Sequence, residues 1–385
     1  MDVPTVKILL LSIEFPPGPG GMGYYAYQIA NYLAHQNWPV RVCAVQTHVS
    51  PDEIRRFNAA QSFPILTFPR LGSFWREAAD RLQKTLREMR KNRPDLILAN
   101  GYQAVWLGAM VSMLTGVPLA TTGLGSEFVI RSQLDHLLTR WAYARARLVI
   151  FISHFTESLA EANGFHIRRS RIIPPGADES LYQPGLSTHA LRAHLRLDEK
   201  RVILTVGRLS ERKAQDIVIR ALPEVIKIFP QVVYVVAGLP DRRGDLEVLA
   251  RNLGVFDHIC FAGVVPQAEL PFYYNLAELF VLTSRLVRKG EVEGFGIAAV
   301  EAALCGLPSV VTEGTGLVEA VRPGETAFVV PQEDPQAVAE ALIRLLADEE
   351  LRQRMGQSAR RYAMEEASWE RRLQAWVKAL QAEFG

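Results

Sequence analysis

Two short stretches in the second half of the chain hold residue types suited to a charged, hydroxyl-rich ligand. The first is Val206-Gly207-Arg208-Leu209-Ser210-Glu211-Arg212-Lys213. It follows an apolar run expected to be a buried strand and precedes a helical pattern. Arg208 and Lys213 therefore fall at the carboxyl edge of a sheet, where doubly wound folds bind ligands. Arginine grips a diphosphate bidentately, and lysine meets it as a mobile point charge. Taken alone, the stretch reads equally well as a basic loop. The second stretch is Gly290-Glu291-Val292-Glu293-Gly294-Phe295-Gly296-Ile297, running into a helix expected over Ala298–Leu304. Glu293 lies in the loop, and Glu301, beyond seven intervening residues, lies in the helix. Gly294 and Gly296 expose backbone N–H groups at the helix start, ready for an anion. A carboxylate is a poor phosphate partner but a good acceptor for sugar hydroxyls. One ligand then fits both stretches, its phosphate on Arg208, Lys213 and the helix start, its hydroxyls on Glu293 and Glu301. The plainer reading of Glu301, an exposed helix residue, is weakened by the apolar residues around it.

A third stretch, Gly18-Pro19-Gly20-Gly21-Met22-Gly23, matches the G-x-G-x-x-G pattern of dinucleotide sites. Three features argue against that cofactor. The glycines begin only after Glu14-Phe15-Pro16-Pro17, not directly at the strand end, and Pro19 stiffens the turn. Gln46 and Thr47 stand where an acidic residue is expected near the end of the second strand. The glycines still let the backbone approach a ligand at the start of the helix that follows. A mobile surface loop is the alternative.

These residues need two scaffolds. The chain has 385 residues, enough for two domains. At 49% hydrophobic and 22% charged it is neither disordered, collagen-like nor a coiled coil. Short apolar runs alternate with helical patterns throughout. Thirteen strands are expected: Val6–Leu11, Val40–Val45, Ile65–Phe68, Leu96–Ala99, Leu119–Thr122, Leu148–Ile152 and Arg171–Ile173 in the first half, then Val202–Val206, Val232–Ala237, Ile259–Ala262, Leu279–Leu282, Ser309–Thr312 and Ala327–Val330. Most are rich in Val, Ile and Leu on both faces, as in a buried parallel sheet. The fold class is α/β with two doubly wound domains, 1–178 and 179–368, joined near Pro174–Pro184. The span Leu96–Ser126 lacks any charge, but Asn100, Gly101, Gln103, Gly116 and Pro118 break it into strand, helix and strand rather than a membrane span.

Net charge is +2, split as +5 over residues 1–180 and −3 over the rest, which gives no global signal for nucleic acid. The basic excess gathers in an amphipathic segment, Trp75–Arg93. Trp75, Ala78, Ala79, Leu82, Leu86 and Met89 share one face, with Arg76, Arg81, Lys84, Arg87, Arg90, Lys91 and Arg93 mostly elsewhere. That is an ordinary surface helix or a patch for anionic lipid. Cys43, Cys260 and Cys305 are too far apart for a metal site and suit a reducing compartment. The N-terminus lacks the basic start of a signal peptide.

GRLSERKAQD, followed by EGFGIAAVEA, resembles the retaining glycosyltransferases of family 4, which have the GT-B fold: two Rossmann-like domains facing across a deep cleft. EFPPGPGGMGYYAYQIANYLA is similar to that family's first loop and helix, ICFAGVVPQAELPFYYNLAELFVLTS to its nucleotide-side strand, and GLVEAVRPGETAFVV to a later phosphate-side turn. The EFPP start and the GEVEGFGI loop look most like the phosphatidylinositol mannosyltransferases. The resemblance implies that Arg208 and Lys213 bind the donor diphosphate, Glu293 the transferred sugar and Glu301 the ribose. It places main chain of Phe295, Gly296 and Ile297 against sugar and phosphate, and Val264 beside the nucleotide. Gly20 and Gly21 approach the diphosphate from the first domain. The final helix, within 369–385, crosses back onto that domain.

One departure matters. Many family members carry His-Gly-x-Glu in the first domain, and the matching residues are Leu124-Gly125-Ser126-Glu127. Leu124 cannot donate the usual hydrogen bond to the sugar. Ser126 or another group substitutes, the donor sugar differs, or activity is reduced; His154 is a candidate donor, Glu127 a candidate nucleophile or base. The expected reaction is metal-independent, cofactor-free transfer of a hexose, with GDP-mannose the leading donor, to a lipid-linked or soluble glycan acceptor. The expected location is cytoplasmic, with a peripheral contact at the inner membrane face and no nucleic-acid partner. A nucleotide-sugar 2-epimerase and a non-catalytic nucleotide-sugar-binding protein are the alternatives.

Overall fold

The computed structural model describes residues 6–129, 132–287 and 291–385. Two compact units divide the chain. One runs to Pro174 and is taken up again at Arg372–Gly385; the other is Pro175–Arg371. The expected boundaries at 178/179 and 368/369 differ from these by a few residues.

In the first unit the strands are β1 (Ile8–Ser12), β2 (Val40–Val45), β3 (Ile65–Phe68), β4 (Leu96–Asn100), β5 (Leu119–Gly123), β6 (Leu148–Phe151) and β7 (Ser170–Ile172). They form one parallel sheet in the order β3-β2-β1-β4-β5-β6-β7. Strands β1, β4, β5 and β6 are buried along their whole length, which is why their sequences do not alternate. The uncharged span does resolve into β4, a helix Tyr102–Thr115 and β5. Gly116, in the left-handed region at φ +73°, ends that helix.

The second unit holds β8 (Arg201–Val206), β9 (Val232–Ala237), β10 (Ile259–Gly263), β11 (Leu279–Leu282), β12 (Ser309–Thr312) and β13 (Ala327–Val330). Its parallel sheet runs β10-β9-β8-β11-β12-β13. In each sheet the order reverses beside the first strand of the unit, between β1 and β4 and between β8 and β11. Chain connections diverge there and leave a crevice at the carboxyl ends of the strands.

The last helix, Trp369–Phe384, closes the first unit. Trp376 is buried edge-on to Tyr25, with ring centroids 6.2 Å apart. Glu383 ties the helix end to Arg147 and Arg169, each at 2.6 Å. The basic helix, Phe74–Lys91, packs Leu82, Leu86 and Met89 inward as expected and departs from the expected face at three positions. Arg81 is buried, paired with Glu77 at 2.6 Å and donating to Gln103 at 2.9 Å. Trp75, expected on the packed face, is 77% exposed, and Ala79 is exposed too.

Candidate functional site

In the second unit, β8 ends at Val206 and the chain turns through Arg208 into a single helical turn, Glu211–Lys213, before the helix Gln215–Ile228. The turn is fixed from both sides. The Gln215 amide donates to the Arg208 carbonyl at 3.1 Å, and the Arg285 N–H to the Arg212 carbonyl at 2.8 Å. Lys213 is thereby buried, 8% exposed, at the sheet edge.

Glu293 reaches the same point from the loop after β11. Its carbonyl accepts from the Gly316 N–H at 3.0 Å, and Ser284, just past β11, donates to its carboxylate at 3.3 Å. That carboxylate oxygen also takes Lys213 Nζ at 2.7 Å and Arg212 Nη1 at 2.5 Å. Burial pushes the Glu293 carboxyl up, but the two cations outweigh it and hold it down at about 2. Burial lowers the Lys213 ammonium, and Glu293 opposes that shift only in part because it is shared with Arg212. Arg212 also lies 3.9 Å from Glu291, so the two cations face two carboxylates of this loop.

Glu301 lies in the helix Ile297–Leu304 and is buried, 6% exposed. The Tyr274 hydroxyl donates to it at 2.6 Å, while Gln267 donates to the Tyr182 hydroxyl at 2.5 Å alongside. Burial raises its carboxyl, and hydrogen bonds from Tyr274, Tyr182 and Gln267 oppose the shift. The two glutamates are thus opposites: one ionised by neighbouring cations, one burdened by burial among neutral donors.

Gly296 caps the start of this helix at φ +94°, a left-handed conformation that favours glycine, and a Cβ there would press on the Leu317 side chain. Phe295 is buried beneath it and Ile297 is half-buried. Arg208, the other expected phosphate ligand, is part-exposed and paired with Asp241 at 3.2 Å. Val264, just past β10, is 50% exposed. Gly290 lies outside the described residues.

The first unit presents a different edge. The glycine loop leads into the helix Gly21–His35 with Gly20 as its cap. A Cβ on Gly20 would strike the Glu14 carboxylate at 2.5 Å, whereas one on Gly21 would meet nothing within 4 Å. Gly20 also has a φ of +153°, which favours glycine, whereas nothing in the structure of the first unit requires glycine at 21. Glu127 is buried, and one of its oxygens accepts from the Leu124 N–H at 2.6 Å and the Tyr143 hydroxyl at 2.9 Å. Expected as nucleophile or base, it has that oxygen turned onto its own loop, where it holds the Leu124 turn. Leu124 and Ser126 are half-buried; His154 is exposed at the start of a helix capped by Ser153.

The sequence reading weighed Lys213 but passed over Arg212, its neighbour. The missed signal was charge balance: two adjacent cations facing a loop with Glu291 and Glu293. Among the described residues, no group of three or more His, Cys, Asp or Glu is placed to hold a metal ion, and no helix is long and apolar enough to cross a membrane.

Two Rossmann-like units of this topology, the second with a cationic, carboxylate-bearing edge, define the GT-B class of glycosyltransferases. The family described as Glycosyl transferases group 1 matches residues 188–362, and Glycosyltransferase Family 4 matches residues 19–181. A GDP-mannose-dependent alpha-(1-6)-phosphatidylinositol monomannoside mannosyltransferase of Mycolicibacterium smegmatis is 32% identical over 72% of this chain and 76% of its own. A D-inositol 3-phosphate glycosyltransferase of Thermomonospora curvata is 28% identical over 94% of this chain and 92% of its own. The chain belongs to this glycosyltransferase family and is an enzyme of the hexosyltransferase type. Among solved structures, sucrose-phosphate synthase of Thermosynechococcus elongatus superposes with a TM-score of 0.82 at 22% identity, covering 98% of each chain. Anabaena HepE in complex with UDP-glucose gives 0.82 at 24%, covering 98% of this chain and all of its own. These two likenesses speak to the fold.

Proposed function

We propose that this glycosyltransferase transfers mannose from GDP-mannose to an acceptor hydroxyl with retention of configuration and without a metal ion. The observation that carries the reading is the edge of the second sheet, where Lys213 and Arg212 meet the buried carboxylate of Glu293. A donor diphosphate entering there meets Lys213 and Arg208, and its sugar hydroxyls meet Glu293. Glu301, with Tyr274 and Tyr182, accepts from the ribose. The choice of GDP-mannose follows the names of the mannosyltransferase relatives.

In the proposed step the bond from the sugar's anomeric carbon to the diphosphate oxygen breaks, and the acceptor oxygen bonds to that carbon on the same face. The acceptor proton passes to the departing phosphate oxygen, and GDP leaves. The sugar is oxocarbenium-like in between. Charge developing on the diphosphate is met by Arg208, Lys213 and the helix start at Gly296. No covalent nucleophile is required, and Glu127 serves to hold its loop.

The acceptor is proposed to be lipid-linked and met at the cytoplasmic face of a membrane. Support comes from the start of the Phe74–Lys91 helix and the residues before it, where exposed Leu71, Phe74 and Trp75 are interleaved with exposed Arg70 and Arg76. Apolar residues among cations suit an anionic lipid surface.

The experiment is an assay with GDP-mannose, a lipid extract as acceptor, and EDTA. An α-linked mannoside, formed equally with chelator, bears the reading out. A β-linked product, or activity abolished by EDTA and restored by a divalent ion, overturns retention or metal independence respectively. Epimerised nucleotide sugar with no acceptor product would point to the 2-epimerase instead.

A further inference from the structure

Three consecutive residues just past β11 hold both sides of the charged cluster in the second unit. Ser284 holds the acidic side, donating to the Glu293 carboxylate at 3.3 Å. Its two neighbours hold the cationic side. Thr283, 2% exposed, donates its hydroxyl to the Ala214 carbonyl at 2.7 Å. The Arg285 N–H donates to the Arg212 carbonyl at 2.8 Å, and its guanidinium Nη2 lies 2.8 Å from each oxygen of Asp216. The chain is thus gripped on both sides of Lys213 by residues that the anion-binding scheme above leaves unused.

Ala214 needs that grip. It follows Lys213 directly, is fully buried, and has φ +50° and ψ +38°. This is the left-handed region, which a residue with a Cβ enters at a cost and glycine enters freely. Such strain persists where the surroundings over-determine it. The conformation also matters to its neighbour, because it separates the single turn Glu211–Lys213 from the helix Gln215–Ile228. With a right-handed residue at 214 the turn would run on into that helix, and the helix would set the direction of the Lys213 side chain. The break instead lets Lys213 lie against Glu293 at 2.7 Å. The Ala214 carbonyl accepts from the Ile217 N–H at 3.0 Å as well, so the atom held by Thr283 also opens the helix.

We propose that Thr283 and Arg285 are positioning residues of the transferase: they hold the chain at Arg212, Ala214 and Asp216 in the conformation that sets Lys213 beside Glu293, and thereby set the affinity of the second unit for a nucleoside diphosphate. This role rests on the donor reading above, and every contact it invokes lies within the second unit.

The test uses the full chain with Thr283→Val, which keeps the side chain's shape without its hydroxyl, and Thr283→Ser, which keeps the hydroxyl. GDP and UDP are titrated against each by calorimetry. For the nucleotide that the unaltered chain binds, Thr283→Val should weaken affinity about tenfold, as for one lost buried hydrogen bond. Thr283→Ser should recover most of that loss. Adding Ala214→Gly to Thr283→Val should recover it too, because glycine adopts the left-handed backbone unaided. Amide hydrogen exchange over residues 211–217 should be faster in Thr283→Val and slow again in the double variant. A folded Thr283→Val with a lower melting temperature but unchanged affinity overturns the proposal and leaves a stabilising role only. A double variant that binds no better than Thr283→Val overturns it as well. If Thr283→Val fails to fold, Arg285→Lys decides, since lysine keeps the charge but loses the fixed guanidinium geometry at Asp216. Unchanged exchange over residues 211–217 in that variant overturns the grip without any nucleotide being needed. Failure of the unaltered chain to bind GDP or UDP would instead count against the donor reading.

Discussion

The two sheet edges share a topology and differ in chemistry. At the first, the strand ends carry Ser12, Asn100 and Thr122, with Gln46 just beyond β2, a set of neutral amides and hydroxyls that hold loop carbonyls. At the second, Thr283 and Thr312 likewise donate to loop carbonyls, but the loops beyond the strands add Arg208, Arg212, Lys213 and Glu293. Neutral networks hold one geometry at any pH or ionic strength. A charged cluster trades partners, because a diphosphate offers cations the same kind of oxygen that a glutamate does. The doubly wound scaffold thus supplies two crevices, and the residues at their rims make one a rigid backbone surface and the other an exchangeable anion site.

The sharpest way to break this contrast is at Glu293. Glu293→Gln leaves Lys213 buried without its carboxylate partner, a loss of about 3–5 kcal/mol of stability by analogy with other broken buried pairs. Turnover should fall far more than affinity for GDP, measured by calorimetry beside the assay. Equal losses of both would mean that Glu293 does not face the sugar. Next in size is Arg208→Ala. Losing a charge-assisted hydrogen bond of about 1.5–3 kcal/mol should weaken GDP binding roughly tenfold to a hundredfold, and unchanged affinity would remove Arg208 from the site.

The pair of glutamates offers a pH test. The Glu293 carboxyl sits below its ordinary value of 4.5, at about 2. Its contribution to stability is present above pH 4.5 and is lost as pH falls through 2. Glu301 is raised, so it favours the fold below pH 4.5, and that advantage is lost as pH rises through its folded value. Melting curves of Glu293→Gln should therefore approach those of the unaltered chain toward pH 2. Glu301→Gln should gain relative to the unaltered chain as pH rises above 4.5, and the opposite trend would reverse the assigned environments. The smallest expected effect is at the exposed Trp75. Trp75→Ser should alter stability by no more than about 0.5 kcal/mol while weakening flotation with anionic vesicles, and unaffected flotation would remove this helix from any membrane contact.

The sheets were legible because buried parallel strands must be apolar on both faces, and every expected strand coincides with an observed one to within a few residues. The cations and carboxylates of the second edge were legible as types and spacing, but their pairing was not. Lys213 was assigned to phosphate alone, while in the fold it also neutralises Glu293. Arg212 was passed over because spacing does not reveal which of two neighbours turns inward. Glu127 suggested chemistry, yet its environment depends on Tyr143, which the next helix brings under the loop. Asn100 registered only as an interruption in an apolar run. Trp75 was placed on the packed face because hydrophobic periodicity cannot foresee that Arg81 would be buried through Glu77 and Gln103.

The most direct test of the central claim, that the charged edge of the second unit holds a nucleoside-diphosphate sugar, is a calorimetric titration of the full chain with GDP, UDP, ADP, their sugar conjugates and NAD, without metal. The expected result is selective binding of one nucleoside diphosphate and its sugar conjugate, weakened by Arg208→Ala. Failure of every nucleotide to bind a well-folded sample would contradict the donor site at Arg208, Lys213, Glu293 and Glu301, and binding of NAD alone would return the glycine loop to the dinucleotide role rejected for it.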